Sequence, residues 1–147
     1  MDYPTSEDVL TLPPAYKLYK DSHIGIAAFL GGPLIGGYLA AENFKQLGQT
    51  RGARNAWIIG IAAMIFVISA VFFIPAIEHV PAYLFPLIYS TVTRFLVQKY
   101  QGTALRAHAA EGGKFYSGWR AAGISLIGVA LIVALLFAVF YLQDLPQ

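Results

Sequence analysis

Residues 31–48 read GGPLIGGYLAAENFKQLG, an apolar run studded with glycine that carries Pro33 near its start, turns polar at Glu42-Asn43 and stops at Gly48. Its apolar part belongs to a longer segment, Ile24–Ala41, and three further apolar segments follow: Ala56–Ile77, Val80–Val97 and Ala121–Leu142. A helix that crosses a bilayer needs about 20 apolar residues, with roughly 17–25 workable. The second and fourth segments fit easily, and the first and third sit at the short end. Val80–Val97 is the weakest, because it holds Arg94, Pro81 and Pro86, and it is expected to lean on its neighbours to stay inserted.

The composition agrees with lipid as the solvent. The chain of 147 residues is 57% hydrophobic and 12% charged, against about 45–50% and 25% in ordinary soluble domains. There is no cysteine, so no disulfide framework, thiolate metal site or catalytic thiol arises. A net charge of +2 is too small to suggest a nucleic-acid partner. The expected fold is all-α, a four-helix transmembrane bundle over residues 23–143, with a polar leader (1–22) and a short tail (144–147).

Placement of the charges sets the orientation. Glu42–Asn55 carries Lys45, Arg51 and Arg54, and Arg94–Arg120 carries five more basic residues, whereas the leader has only Lys17 and Lys20 and the tail has none. Eight basic residues against two put both basic loops in the cytoplasm and both termini outside. Trp57 and Trp119 then open the second and fourth spans as interfacial anchors. Gly48 and Gly112-Gly113 are expected to end helices, and Thr50 to cap the next one.

Two similar halves emerge: a short proline-interrupted helix, a basic loop, a tryptophan and a long apolar helix. Matching Pro33-Leu34-Ile35 to Pro86-Leu87-Ile88 makes the bundle two helical hairpins related as a parallel repeat. Paired short, Gly/Pro-interrupted segments are also the sequence mark of a transporter-type site.

Several residues invite a role. Gly32, Gly36 and Ala40, with Gly37 beside them, form a small-residue ridge that favours close helix packing over a substrate-lining hinge. Glu42 and Arg94 lie at matching positions of the two short helices and are expected to form an ion pair. Asn43, Ser90 and Thr93 add a polar stripe beside them. His23, Glu78 and His79 offer a metal-type donor set whose spacing fixes no geometry, so an interfacial reading is preferred. His108 and Glu111 fall in a solvated helix. No catalytic constellation, metal motif or cofactor motif stands out.

The run Phe29–Gly48, together with Gly118-Trp-Arg-Ala-Ala-Gly123, resembles small uncharacterised bacterial multi-pass membrane proteins. The resemblance implies placement in a bacterial cytoplasmic membrane and carries no activity. The expected function is a structural or accessory membrane protein that acts through helix contacts with a partner or a second copy. The alternative is a small transporter or channel with a site between residues 24–41 and 80–97.

Overall fold

The computed structural model describes residues 13–143, so the expectations for residues 1–12 and 144–147 lie outside it. Four long helices, α1 (Asp21–Gln46), α2 (Thr50–Phe73), α3 (Leu84–Ala110) and α4 (Gly118–Gln143), are joined by short connections, with a 3-10 turn at Pro75–His79. Two short strands, β1 (Lys17–Leu18) and β2 (Lys114–Phe115), pair in parallel with Lys17 opposite Lys114. By length and apolar composition alone α1, measured along its whole course, α2 and α4 to Leu142 suffice to cross a membrane, but α1 is interrupted at Gly32.

The stretch around Gly32 decides the shape. Gly32 has φ +83° and ψ 174°, a backbone region open essentially to glycine alone. A straight helix would separate residues 19 and 43 by about 36 Å at 1.5 Å per residue. Instead the Tyr19 N–H donates to Asn43 Oδ1 at 2.7 Å, and Asn43 Nδ2 donates to the Tyr19 carbonyl at 2.8 Å. The helix therefore folds back on itself. Residues 21–31 (α1a) descend, Gly32 turns, and residues 33–46 (α1b) return alongside. Ala28 faces Gly36 so closely that a Cβ built on Gly36 would lie 2.9 Å from the Ala28 methyl. Pro33 opens α1b, where its missing N–H removes a donor that the turn would leave without a helical partner.

This corrects the first expected span: Ile24–Ala41 is a hairpin rather than one rod. Each half holds about 11–14 residues and reaches about 16–20 Å. It also places residues 13–19 beside the end of α1, the end of α3 and the start of α4. The described chain thus starts at one end of the bundle and finishes α4 at the other.

The hairpin is the hub. α2, α3 and α4 each pack chiefly on α1, with Leu18, Ile24, Ala27, Ile35, Leu39 and Val97 among the buried core. Against α2 the backbones nearly touch: a Cβ on Gly37 would meet the Ala56 carbonyl at 2.8 Å and Gly60 Cα at 2.9 Å. Gly52, Ala56 and Gly60 supply the facing small-residue ridge at i, i+4, i+8, the spacing that permits such approach. Against α4, Ser125 is fully buried and its hydroxyl lies 3.1 Å from the Ala27 carbonyl and 2.9 Å from that of Ala121. Elsewhere α2 and α4 turn large apolar side chains outward, including Phe66, Phe73, Leu126, Leu131 and Phe137, far beyond the patch a monomer shows to water.

Helix ends follow the glycine expectations. Gly48 (φ +71°) and Gly112 (φ +73°) each donate to a carbonyl three residues back. The next residue, Gln49 or Gly113, donates to Phe44 or His108 five back at 2.8 Å. That double closure is the Schellman C-cap, which needs a left-handed residue. Thr50 does not cap α2: it is the first helical residue, and no side chain caps that end. The two prolines of the proposed repeat each sit in the first turn of a helix, α1b and α3, but α3 runs unbroken for 27 residues where α1 folds in two.

Candidate functional site

All ten lysines and arginines gather at one end of the bundle, and a buried polar clasp lies beneath them. Asn43, 1% exposed, holds both backbone groups of Tyr19 and also donates Nδ2 to Gln101 Oε1 at 3.0 Å. Gln101, equally buried, donates Nε2 to the Ala40 carbonyl at 2.8 Å. Two amide side chains thus tie the entry of the hairpin, its exit and α3 into one unit. Buried amides without partners would each cost about 1–3 kcal/mol, so the network specifies one register.

Aromatic groups roof the clasp. Tyr19 stacks on Tyr116 with ring centroids 4.6 Å apart, and Arg120 lies over the Tyr116 ring at 4.3 Å while its Nε donates to the Tyr19 hydroxyl at 3.0 Å. Burial raises the Tyr19 phenol above its ordinary pKa, and Arg120 opposes part of that rise. His108 is buried between Tyr16 and Phe115. Its Nε2–H donates to the Lys114 carbonyl at 2.9 Å, so His108 supports β2 and is not a solvated residue as expected. Nδ1 of both His23 and His108 is buried with no hydrogen-bond partner among the described residues.

The expected Glu42–Arg94 ion pair does not form. Glu42 binds Lys45 one turn on, at 2.6 Å, and Arg94 Nε lies 3.3 Å from Asp21 Oδ2. Fold-back at Gly32 is the cause, since it brings Asp21, at the start of α1, to Arg94, while the last turns of α1 meet α3 further along, at Gln101. The aliphatic stem of Arg94 runs along Gly25, with Cβ, Cγ and Cδ all within 3.7 Å of a Cβ placed there. The head then reaches up to Asp21, which also accepts from Gln98 Nε2 at 2.7 Å. This is a snorkelling geometry.

The polar stripe divides. Thr93 packs its methyl on Gly36, whereas Ser90 turns its hydroxyl back to the Leu87 carbonyl of its own helix at 3.1 Å. Gly32 is the turn rather than a packing residue, while Gly36, Gly37 and Ala40 do form close contacts. Trp57 packs on Tyr38 in a tilted contact with centroids 5.6 Å apart, and Trp119 projects outward, 87% exposed. His23 lies beside Gly118 at the basic end. His79 follows α2 at the far end, so the two histidines do not meet. Among the described residues no group of three or more His, Cys, Asp or Glu side chains could hold a metal ion.

One cavity of about 450 Å³ opens between α1b, α2 and α3, within the size range of small-ligand sites. Its floor is Gly36, Gly37, Ala40 and Gly60, its walls include Ile59, Ala63, Val92 and Leu96, and Gln49, Asn55, Tyr100 and Gln101 lie toward the basic end. Sequence reasoning expected a site between the first and third segments, and this groove does lie between them. It missed the wall from α2, although the small residues at 52, 56 and 60 carried the same spacing signal as those at 32, 36 and 40.

Comparisons with protein-family models, with curated proteins and with solved structures return no match. Class therefore rests on the chain itself: an all-helical protein in which α2, α4 and, by length and composition along its bent course, α1 are apolar enough for a membrane.

Proposed function

We propose that the chain is an integral protein of the bacterial cytoplasmic membrane, a structural or accessory component that works through contacts in the bilayer and not through catalysis. The observation that carries this reading is how its buried polar side chains are used. Asn43, Gln101, His108 and Ser125 each bond to backbone or to one another: the first two and Ser125 fasten the hairpin to Tyr19, α3 and α4, and His108 fastens α3 to β2. Such groups fix a shape, and the outward apolar faces of α2 and α4 offer that shape to lipid, to a second copy or to another membrane protein.

With every lysine and arginine at one end, the positive-inside bias puts that end in the cytoplasm. Residues 13–20 then lie inside, α1 enters and leaves on the same side, and α2, α3 and α4 cross. Non-spanning backbone at membrane depth is tolerated where protein buries it, and α2, α3 and α4 each pack on the hairpin, leaving apolar side chains of α1a such as Ile26 and Leu30 outward. The transporter alternative draws on the groove between α1b and α3, but its mostly apolar lining and sideways opening fit hydrocarbon better than a water-borne solute.

Since the chain has no cysteine, single cysteines test both points in intact and inverted vesicles with a membrane-impermeant thiol reagent. Cysteine at Ala15 is expected to react only from the cytoplasmic side, and cysteine at Ser90 or Thr93 from neither. Labelling at Thr93 would reveal a water path through the groove and replace the accessory reading with the transporter one. Labelling of Ala15 from outside would overturn the topology.

A further inference from the structure

We infer that the groove between α1b, α2 and α3 is a binding site for one anionic phospholipid of the cytoplasmic leaflet, an acyl chain lying on the glycine floor and the phosphate held at the basic end. This goes beyond the accessory reading, which concerns the outer faces of α2 and α4.

Depth is the first argument. The lining runs on α2 from Gly52 to Ala63 and on α3 from Tyr89 to Gln101, about 16–18 Å at 1.5 Å per residue. That matches half of a hydrocarbon core about 30 Å thick. A transmembrane helix from a second copy would need a groove of the full thickness, whereas a chain from one leaflet fills this one. The groove stops where the hairpin stops, because Gly32-Pro33 forms its inner limit.

Shape and polarity are the second argument. Residues 36, 37, 40 and 60 lack bulk, so the floor is a trough. The walls are mostly aliphatic, with Thr93 and Tyr89 among them, and toward the basic end Asn55 and Tyr100 can donate to ester and phosphate oxygens. Charge is the third argument. Arg51 precedes Asn55 by four residues and so shares its face. Arg54 and Lys99 flank lining residues, and Lys99 Nζ lies 5.6 Å from the Tyr100 ring centroid. None of these three cations is in an ion pair among the described residues, and the nearby carboxylate of Glu42 is held by Lys45. A zwitterionic headgroup would leave the three without a net partner, while an anionic one supplies it.

The test is native mass spectrometry of the full-length protein released from micelles containing equal amounts of dioleoyl phosphatidylglycerol and dioleoyl phosphatidylcholine. One phosphatidylglycerol per protomer is expected, in clear preference to phosphatidylcholine. Each cation near a headgroup changes binding about five-fold, so Arg51→Gln, Arg54→Gln and Lys99→Gln together should cut the preference between five- and a hundred-fold while leaving adduct formation itself. Filling the trough by Ala63→Phe or, separately, Leu96→Trp should remove both lipids, with far-UV circular dichroism confirming that each variant is folded. Equal retention of the two lipids by the wild type overturns the proposal. So does retention of phosphatidylglycerol by both folded trough-filling variants, displacement of the lipid by soluble glycerol phosphate alone, or a lipid-free dimer in which the groove is covered by a second copy.

Discussion

Replacing Gly32 by alanine isolates the turn on which the fold depends. At φ +83° and ψ 174° an alanine is strained by about 1–3 kcal/mol, roughly a five- to 150-fold loss in the folding equilibrium at 1.4 kcal/mol per decade. The cost is conformational and not steric, since a Cβ there would meet only Met64, with Sδ at 3.6 Å and Cε at 3.8 Å. Gly36 is the contrast. Its Cβ would lie 2.8 Å from the Thr93 methyl and 2.9 Å from the Ala28 methyl, so Gly36→Ala is destabilised by crowding. Double-mutant cycles separate the two causes. Gly32→Ala combined with Met64→Ala should be additive within about 0.5 kcal/mol. Gly36→Ala should be partly rescued by Thr93→Ser and Ala28→Gly, by about 1 kcal/mol or more, as expected of residues in contact. The assay is reversible unfolding in mixed micelles by stepwise addition of sodium dodecyl sulfate, read by far-UV circular dichroism. A Gly32→Ala protein within about 0.5 kcal/mol of wild type, the error expected between independent sites, would refute the fold-back. So would a Gly32→Ala penalty relieved by trimming Met64.

Other perturbations read the elements that hold the hairpin shut. Asn43→Leu strands the Tyr19 N–H and carbonyl and the Gln101 amide, so a loss of about 3–5 kcal/mol is expected from three groups at about 1–3 each, less what water recovers; an unfolding midpoint unchanged by this variant would contradict the clasp. For Arg94 and Asp21 the pair is partly exposed and contributes about 0–1 kcal/mol, so Arg94→Asp should be rescued in expression and thermal stability by Asp21→Arg and not by Glu42→Arg, with rescue by Glu42→Arg the adverse outcome. Ser125→Ala removes the hydroxyl between α4 and the Ala27 carbonyl and should cost about 0.6 kcal/mol, with about 1.7 as a ceiling; a larger loss in the same unfolding assay would mean that α4 depends on more than this contact.

Much of this was legible from residue spacing, and the failures share one cause. Apolar length and charge density marked the helices, and the C-terminal glycines announced their own caps, because a left-handed glycine after an apolar run has few other uses. What the sequence left open was whether residues 24–41 form one rod or two half-rods. Hydropathy counts residues and is blind to direction. The local clue was Gly32-Pro33: the residue before proline avoids the helical region, and glycine alone accepts the conformation found there. Lys17 and Lys20 were a second clue, because a four-span topology leaves them on the wrong side of the charge bias. From the misread direction follows the Glu42–Arg94 pairing. Asn43 was marked as polar, but its partner Tyr19 is 24 residues away and meets it only through the turn.

In the proposed membrane placement, both the hairpin's half-depth and its pairing at one end follow from the same balance. A straight 26-residue α1 would reach about 39 Å, long enough to span, and would carry Lys17 and Lys20 across against the charge bias. Folding back keeps them with the other eight cations and lets Asn43 reach Tyr19. The cost is an apex whose helix ends are interrupted away from water. Three features lower that cost: Gly32 takes the turn without a side chain to strain, Pro33 brings no N–H to leave unsatisfied, and Gly60 and Ser125 allow α2 and α4 to close around the bend. The small residues of the opening stretch thus divide their labour, with Gly32 making the bend, Gly37 meeting Gly60 to bury it, and Gly36 and Ala40 flooring the groove that the bend brings to an end halfway across.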